Sequence, residues 1–286
     1  MKFSVGTAQI KPFLGDIDAN LNLIESMVKS AKKKNIKLLV FPELSLTGYF
    51  LKDLVPDVAQ KKNSKLLKNI ASMSEGISIV LGFVEESSRH VFYNSAAYFE
   101  NGKLIYIHRK IYLPTYGMFD ESRYFGSGKK ISAFNTKFGR VAILICEDAW
   151  HPSLAYLASQ DGADFLIIPS SSPYRGTGQS TSKSKLAIER SWESIITTYS
   201  ITYNQFVIFS NRVGYEDGVN FWGGSQVISP EGETIKKAPR SRSSIYSAEI
   251  DTKDVRRSRI ASPTYRDEKT LLFQREFNRI QSAKKN

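Results

Sequence analysis

A buried strand that ends in a cysteine and leads directly into a helix is the feature that most restricts this fold. Residues 141–145 are five consecutive apolar side chains, which predict a buried β-strand. Cys146 follows them, and it is the only cysteine in the 286 residues. Pro152 then opens a helical pattern, because proline is tolerated in the first turn of a helix. This strand–turn–helix unit predicts an α/β fold with the thiol at one end of a sheet.

The lone thiol has two interpretations. A thiol at the end of a strand, beside backbone N–H groups, has the geometry that an acyl-transfer nucleophile requires. A single cysteine is also often a small buried apolar side chain. Motifs elsewhere in the chain favour the nucleophile.

Hydrophobic periodicity predicts two kinds of connection between strands. Strand and helix alternate in the first third of the chain and again after residue 140, which favours parallel pairing. The Asn101-Gly102 turn predicts an antiparallel hairpin, and the turn at 230–232 predicts a second one. Expected strands cover 3–10, 36–41, 77–85, 92–99, 104–108, 140–145, 164–168, 206–211, 226–229 and 245–250, and the last two form the second hairpin. Expected helices begin at Asp18, taken as the cap of the first helix, and near residues 66, 152, 181 and 269.

These patterns predict one α/β domain over residues 1–286. Parallel βα units interleaved with antiparallel hairpins indicate two mixed sheets back to back, with helices outside. No internal repeat, low-complexity linker or shift in composition divides the chain. We expect a core over about residues 1–250 and a polar C-terminal arm over 251–286.

Charge and cysteine content restrict the class of protein. The net charge of +12 invites a nucleic-acid interpretation, but the basic residues form short clusters without a recognition motif, so we expect no nucleic-acid partner. One cysteine cannot form an intrachain disulfide, which favours the cytoplasm. We recognise neither a signal peptide nor an apolar span of about 18 residues, and we expect no membrane partner. The cysteine and three scattered histidines lack metal-ligand spacing, and no glycine pair resembles a phosphate loop, so we expect no metal or cofactor.

Two further charged residues share the strand-end position of Cys146. Glu43 lies two residues after the predicted strand 36–41, and Lys110 lies two residues after the predicted strand 104–108. Glu121 lies in the glycine- and aromatic-rich loop after Lys110. Taken singly, a glutamate at a strand end is usually solvated, and a lysine on a hairpin usually decorates a sheet edge. Taken together, these residues predict a catalytic group.

The motifs resemble those of the nitrilase, or carbon–nitrogen hydrolase, superfamily. Glu43 lies in a Phe-Pro-Glu stretch before a Gly-Tyr pair, Lys110 precedes a Leu-Pro pair, and Cys146 precedes an acidic turn that contains tryptophan. Glu121 matches a second glutamate of the family. The resemblance runs over about residues 3–250, in the family's order. It implies a four-layer αββα sandwich that commonly pairs into a homodimer or higher homo-oligomer, with the C-terminal arm at the subunit interface.

The chemistry of these residue types is that of acyl transfer. Glu43 can take the proton of the thiol, which is mostly protonated at its ordinary pKa of about 8.5. Lys110 supplies positive charge for an oxyanion beside the N–H of Glu147. Glu121 either fixes Lys110 by an ion pair or carries a water molecule. A thioester on Cys146 would form with release of ammonia, and water would then release the acid.

The loop 112–125 and the Ser-Pro-Tyr stretch at 172–174 resemble the glutaminase domain of glutamine-dependent NAD synthetase and its freestanding relatives. This resemblance implies a substrate pocket formed by Tyr49, Tyr116, Phe119, Glu147, Ser172 and Arg175. A basic residue shortly after the Ser-Pro pair is expected to hold the carboxylate of glutamine, but Arg175 and Gln179 match that spacing imperfectly. We therefore expect a small amide other than glutamine as the substrate.

Several other functions remain open at this stage. They are glutamine hydrolysis that supplies ammonia to a separate synthetase, hydrolysis of N-carbamoyl amines or nitriles, and binding without catalysis on the same fold. The intact Glu43, Lys110 and Cys146 argue against a catalytically silent protein. No nucleotide-binding motif is recognised, so we expect no ATP-using synthetase domain.

Overall fold

Two six-stranded sheets form the centre of the computed structural model, which describes residues 1–174 and 186–284. The strands are numbered in chain order. Those of the first sheet are β1 (Lys2–Gln9), β2 (Ile36–Val40), β3 (Ser78–Glu86), β4 (Phe92–Glu100), β5 (Lys103–Arg109) and β14 (Ser244–Asp251). Those of the second sheet are β6 (Phe134–Thr136), β7 (Gly139–Ile143), β8 (Phe165–Ser170), β9 (Phe206–Asn211), β12 (Gln226–Ile228) and β13 (Thr234–Lys237), and the last two form a hairpin. β10 (Val213–Glu216) and β11 (Val219–Trp222) form a separate antiparallel pair. The strands that follow them in the chain are β12 (Gln226–Ile228), β13 (Thr234–Lys237) and β14 (Ser244–Asp251).

The strand order mixes parallel and antiparallel neighbours in both sheets. The first sheet has the order β14-β1-β2-β3-β4-β5, and the second has the order β13-β12-β9-β8-β7-β6. β1, β2 and β3 are parallel, as are β7, β8 and β9, whereas the strands at the edges pair antiparallel. The hairpin predicted at Asn101-Gly102 is present as β4 and β5.

Alternation of side chains along the strands divides the apolar residues between two faces. Phe165 and Ile167 of β8 point into a core between the two sheets, where they meet Val5 of β1 and Val40 of β2. Leu166 and Ile168 of the same strand point to the opposite face, against helices. Both faces of each sheet are therefore covered, which explains why these strands read as continuous apolar runs.

Helices cover the outer face of each sheet and complete the four-layer αββα sandwich. The helices are α1 (Ile17–Lys33), α2 (Val55–Val58), α3 (Lys65–Met73), α4 (Glu121–Tyr124), α5 (Pro152–Gln160), α6 (Ala187–Tyr203), α7 (Lys253–Ala261), α8 (Thr264–Asp267) and α9 (Thr270–Ala283). α1 and α3 pack on the first sheet, and α5 and α6 pack on the second. Short 3₁₀ turns occupy Lys52–Leu54 and Cys146–Trp150.

Three local predictions differ from the structure. Asp16, not Asp18, caps α1, because its side chain accepts the backbone N–H of Ala19. The turn at 230–232 joins β12 to β13, whereas β14 crosses to the first sheet and pairs with β1. A continuous helix was expected from residue 181, but Leu186 is extended and α6 begins at Ala187; 175–185 lie outside the described residues.

The C-terminal arm is helical and only partly packed. Val255 of α7 is buried in the core between the sheets. α9, by contrast, buries none of its residues and exposes Leu271, Phe273 and Phe277. Across the residues that the structure describes, no helix is both long and apolar enough to cross a membrane.

Candidate active site

Strand direction brings Glu43 and Lys110 to one edge of the first sheet. β2 is parallel to β3, and β5 runs in the same direction because two antiparallel steps separate it from β3. Glu43 follows β2 and Lys110 follows β5, so both leave the carboxyl ends of strands that point the same way. Cys146 reaches the same place from β7 in the facing sheet. The structure thus brings Glu43 into contact with Lys110, from which it is separated by 67 residues in sequence.

A glycine on the neighbouring strand allows the Glu43 backbone to come this close. Leu44 has a φ of +47°, so the chain turns sharply directly after Glu43. A Cβ atom on Gly82 of β3 would lie 2.3 Å from the Leu44 nitrogen and 2.7 Å from the Pro42 oxygen. Any other residue at Gly82 would push the Glu43 segment out of place.

Lys110 is the centre of a buried ion-pair cluster. Its Nζ atom lies 2.7 Å from Oε1 of Glu43 and 2.6 Å from Oε1 of Glu121, and the lysine is fully buried. Burial alone would lower the pKa of Lys110, but the nearby charges of Glu121 and Glu43 outweigh it and raise the pKa. Lys110 is therefore held as a cation. Of its three N–H groups, two donate to these carboxylates, and the third has no acceptor in residues 1–174 and 186–284.

The carboxylate of Glu43 is nearly saturated with hydrogen bonds. Oε1 accepts from Lys110 and, at 2.8 Å, from the amide of Asn94 on β4. Oε2 accepts the backbone N–H of Ser171 at 2.8 Å. A carboxylate oxygen can accept two such bonds, so Oε2 keeps one open acceptor position. That oxygen is the one able to receive a proton.

Glu121 has one oxygen held and one unpaired. Oε1 accepts from Lys110 and from the hydroxyl of Tyr49, whereas Oε2 is buried and has no hydrogen-bond partner in the described residues. Burial raises the pKa of Glu121 to about 7; the charge of Lys110 opposes part of this increase, and the charge of Glu43 adds to it. The ion pair with Lys110, one of the two roles predicted for Glu121, is thus present in the structure.

Cys146 has a backbone conformation that is uncommon for a residue with a side chain. Its φ is +46°, at the point where β7 gives way to the 3₁₀ turn. Its side chain is partly buried, and the hydroxyl of Ser170 donates to Sγ at 3.2 Å. Burial and the charge of Glu43 raise the pKa of the Cys146 thiol, and Lys110 lowers it in part. The resting thiol is therefore protonated and needs a base before it can react.

Asp148 is a residue that the sequence interpretation missed. Its buried carboxylate accepts the N–H groups of Ile111 and Tyr112 at 2.9 Å and that of Ile145 at 3.1 Å. It also lies 2.9 Å from Nε2 of buried His108. These bonds tie the segment after Lys110 to the turn that carries Cys146. Only its position two residues after the cysteine could have drawn attention to it.

A second contact supports the same junction. The ring of His151 stacks on Tyr112 with centroids 3.4 Å apart and an interplanar angle of 5°. Histidine therefore acts here by packing. Among the described residues, no group of three or more His, Cys, Asp or Glu side chains is arranged to hold a metal ion.

A cavity of about 260 Å³ opens on the thiol. It is lined by Tyr116, Phe119, Cys146, Glu147, Trp150, Ser172, Pro173, Ile188 and Trp192. Four of the predicted pocket residues, Tyr116, Phe119, Glu147 and Ser172, therefore share a cavity with Cys146, and the hydroxyl of Tyr116 donates to Glu147 at 2.8 Å. Trp150, Ile188 and Trp192 had not been predicted, since tryptophan and isoleucine mostly signal packing in a sequence.

The other two predicted pocket residues are Tyr49 and Arg175. Tyr49 is not among the residues that line the thiol cavity; it lies in a neighbouring cavity of about 300 Å³ and donates to Glu121. The burial of its ring beside Phe50 and Phe119 places its hydroxyl on the catalytic cluster instead. Arg175, like Gln179, lies outside the described residues.

Comparisons with known proteins agree with this geometry. The carbon-nitrogen hydrolase family profile matches residues 4–260. A glutamine-dependent NAD(+) synthetase of Acinetobacter baylyi is 30% identical over 260 residues, which cover 90% of this chain and 46% of that protein. A probable nitrilase of Schizosaccharomyces pombe is 28% identical over 268 residues, which cover 90% of this chain and 91% of that protein.

The fold is also shared with a solved structure. A carbon-nitrogen hydrolase from Helicobacter pylori superposes with a TM-score of 0.81 at 23% identity, over 96% of this chain and 98% of that one. This chain spans about half the length of the NAD(+) synthetases that it matches. With a family match over 257 of its residues, from 4 to 260, this chain belongs to the carbon-nitrogen hydrolase family.

Proposed function

We propose that this protein hydrolyses a small amide through a thioester on Cys146. The observation that carries the proposal is the buried cluster in which Lys110 joins Glu43 and Glu121, next to a thiol that burial keeps protonated. Burying three charges is costly, and a buried ion pair adds little stability over apolar packing. Such a cluster is expected where its charges serve chemistry.

In the acylation step, Sγ of Cys146 attacks the carbonyl carbon of the amide. The thiol proton passes to Oε2 of Glu43, the carboxylate oxygen with an open acceptor position. The carbonyl oxygen becomes an oxyanion, and the unpaired N–H of Lys110 can donate to it together with the backbone N–H of Glu147. Collapse of this intermediate breaks the C–N bond, and Glu43 returns the proton to the departing nitrogen, so ammonia leaves.

Water completes the reaction in the second half. Glu43 takes a proton from the water that attacks the thioester. The C–S bond then breaks to release the acid and the thiolate, and the thiolate takes the proton back from Glu43. The positive charge of Lys110 stabilises the thiolate directly, since it lowers the pKa of the Cys146 thiol in part. Glu121 holds Lys110 in this position from the other side.

The size and charge of the cavity favour a small substrate with a polar end. A volume of about 260 Å³ fits a short amide, and Glu147 places a carboxylate in its wall. Glutamine is the second candidate, supported by 30% identity to a glutamine-dependent NAD(+) synthetase. Glutaminase activity would supply ammonia to a synthetase. The reduced thiol that this mechanism requires supports a cytoplasmic location.

The test is ammonia release from a panel of simple aliphatic amides, glutamine, N-carbamoyl amines and nitriles. We expect the highest kcat/KM for an aliphatic amide and no activity in Cys146→Ala or Glu43→Gln. A preference for glutamine above about a hundredfold, which is about 2.7 kcal/mol in barrier, would select the glutaminase alternative. Hydrolysis that persists in Cys146→Ala would contradict the thioester mechanism itself.

A further inference from the structure

Ser170 ends β8 and contacts the sulfur of Cys146 directly. Its side chain is fully buried, and its hydroxyl donates to Sγ at 3.2 Å. β8 pairs in parallel with β7, the strand that leads to Cys146, so the two residues leave neighbouring strands at the same edge. In the part of the chain that the structure describes, this is the single hydrogen bond of the Ser170 side chain.

The next residue in the chain contacts the base. The backbone N–H of Ser171 donates to Oε2 of Glu43, and the Ser171 hydroxyl donates to the Glu43 carbonyl oxygen at 3.1 Å. Ser170 and Ser171 thus place donors on Cys146 and on Glu43 from one rigid strand end. The relative position of sulfur and carboxylate is set by two consecutive residues.

The Ser170 hydroxyl donates its hydrogen to the Cys146 sulfur, which restricts where the thiol hydrogen can lie. A hydroxyl has one hydrogen, and when it is given to sulfur, the S–H hydrogen must lie in another direction. Oε2 of Glu43, which accepts the N–H of the next residue, Ser171, has an open acceptor position. The bond from Ser170 therefore favours the thiol rotamer that proton transfer to Glu43 requires.

The strength of this bond also changes during catalysis. Sulfur is a weak acceptor as a thiol, but a thiolate accepts a charge-assisted hydrogen bond. Sγ carries negative charge twice, when its proton has passed to Glu43 before the S–C bond forms and when that bond breaks in deacylation. A donor fixed on Sγ lowers the energy of both states relative to the neutral thiol.

We propose that Ser170 is a further catalytic residue, which orients the Cys146 thiol and stabilises its thiolate through the hydrogen bond to Sγ. The assignment rests on the proposed thioester mechanism for its role in turnover. The effect of Ser170 on the reactivity of the Cys146 thiol can be measured without a substrate. This property separates a failure of the Ser170 assignment from a failure of the proposed function.

Ser210 offers a matched control. It is also fully buried near the end of a strand, β9, and its hydroxyl donates to the Val40 carbonyl oxygen at 2.9 Å. Ser210→Ala therefore removes a buried hydroxyl and one hydrogen bond between the sheets, but none to sulfur. A loss of thiol reactivity in both variants would reflect packing, and a loss in Ser170→Ala alone would reflect the hydrogen bond to sulfur.

The experiment is alkylation of Cys146, the only cysteine, by iodoacetamide between about pH 6 and about pH 10, followed by intact mass. The thiolate is the reactive form, so the rate constant reports its population. We expect Ser170→Ala to react about tenfold more slowly at each pH below its midpoint, equivalent to one unit in the thiol pKa. Ser210→Ala should react like the unaltered protein.

Two results would overturn the assignment. One is a Ser170→Ala profile that coincides with that of the unaltered protein, and the other is an equal slowing in Ser210→Ala. Thermal unfolding of each variant shows that it is folded. If Ser170→Ala fails to fold, Ser170→Gly removes the same hydroxyl with no added volume, and the same two outcomes apply to it.

Discussion

The carboxylate of Asp148 accepts the backbone N–H of Tyr112 at 2.9 Å, which ties the segment after Lys110 to the turn that begins at Cys146. Because the same carboxylate also holds Ile145, it sets the distance between nucleophile and cation from both sides. Displacing a catalytic group by about 1 Å can cost about a hundredfold in rate. The position of Asp148 therefore matters for catalysis although it points away from the reacting atoms.

Asp148→Asn should lower kcat by about ten- to a hundredfold and leave KM within about threefold. The amide keeps one acceptor oxygen for Ile111 and Tyr112 but turns a donor towards the Ile145 N–H. Steady-state kinetics with the best amide measures the change. Glu100→Gln is the matched control. Glu100 is also a buried carboxylate that accepts a backbone N–H, that of Lys137, but it lies at the opposite end of β4 from Asn94, which contacts Glu43. Equal loss of kcat in both variants would contradict a positioning role for Asp148.

Lys110→Met should abolish detectable hydrolysis and lower the free energy of unfolding by about 3–5 kcal/mol, because Glu43 and Glu121 lose their shared cation. Adding Glu121→Gln should recover part of that stability without recovering activity. Urea denaturation and ammonia release measure the two effects separately.

Lys237→Met serves as the control for Lys110→Met. Lys237 also joins two carboxylates, at 2.6 Å from Glu189 and 2.5 Å from Glu193, but it is about one-third exposed. Solvent screens an ion pair of this kind, so its loss should cost at most about 1 kcal/mol and leave activity intact. Substantial hydrolysis by Lys110→Met would contradict the proposed oxyanion role.

Stability should depend on pH through Glu121. Burial raises its pKa to about 7 from the ordinary 4.5, so the folded protein binds this proton more tightly than the unfolded chain. The free energy of unfolding should therefore fall as pH rises from about 4.5 to about 7, and the loss should be complete above that range. Glu121→Gln should lack this component. Urea denaturation at several pH values measures it. Glu25→Gln is the control, because the Glu25 side chain on α1 is 41% exposed; equal slopes in all three proteins would refute the assignment.

Assembly should involve the apolar side of α9. The helix buries no residue, and Phe277 is 49% exposed. We expect light scattering to report a mass of at least twice the 32.3 kDa of one chain. Phe277→Glu should reduce that mass, whereas Gln274→Glu, which adds the same charge at a polar position of α9, should not. A single-chain mass for the unaltered protein would rule out this assembly.

Local sequence signals were sufficient for much of the fold and for the strand-end positions of Glu43, Lys110 and Cys146, whereas their grouping as a site came from the family resemblance. Glu43 and Cys146 lie three residues after strands that apolar runs predict, and Lys110 directly follows β5. The β4–β5 hairpin was also predictable, because Asn101 and Gly102 both adopt the positive φ that a tight turn requires. These features depend on residues close together in the chain.

Pairings over long sequence separations were decided only by the tertiary structure. β14 pairs with β1 across more than 230 residues instead of with β12, because its apolar face, including Ile250, completes the core between the sheets. The same packing brings Ser170 to Cys146, Asp148 to Tyr112 and Tyr49 to Glu121. The sequence determined which side chains could react, since their chemistry is local. Their protonation and hydrogen bonds depend on burial and on distant neighbours, and only the packed sheets supply these.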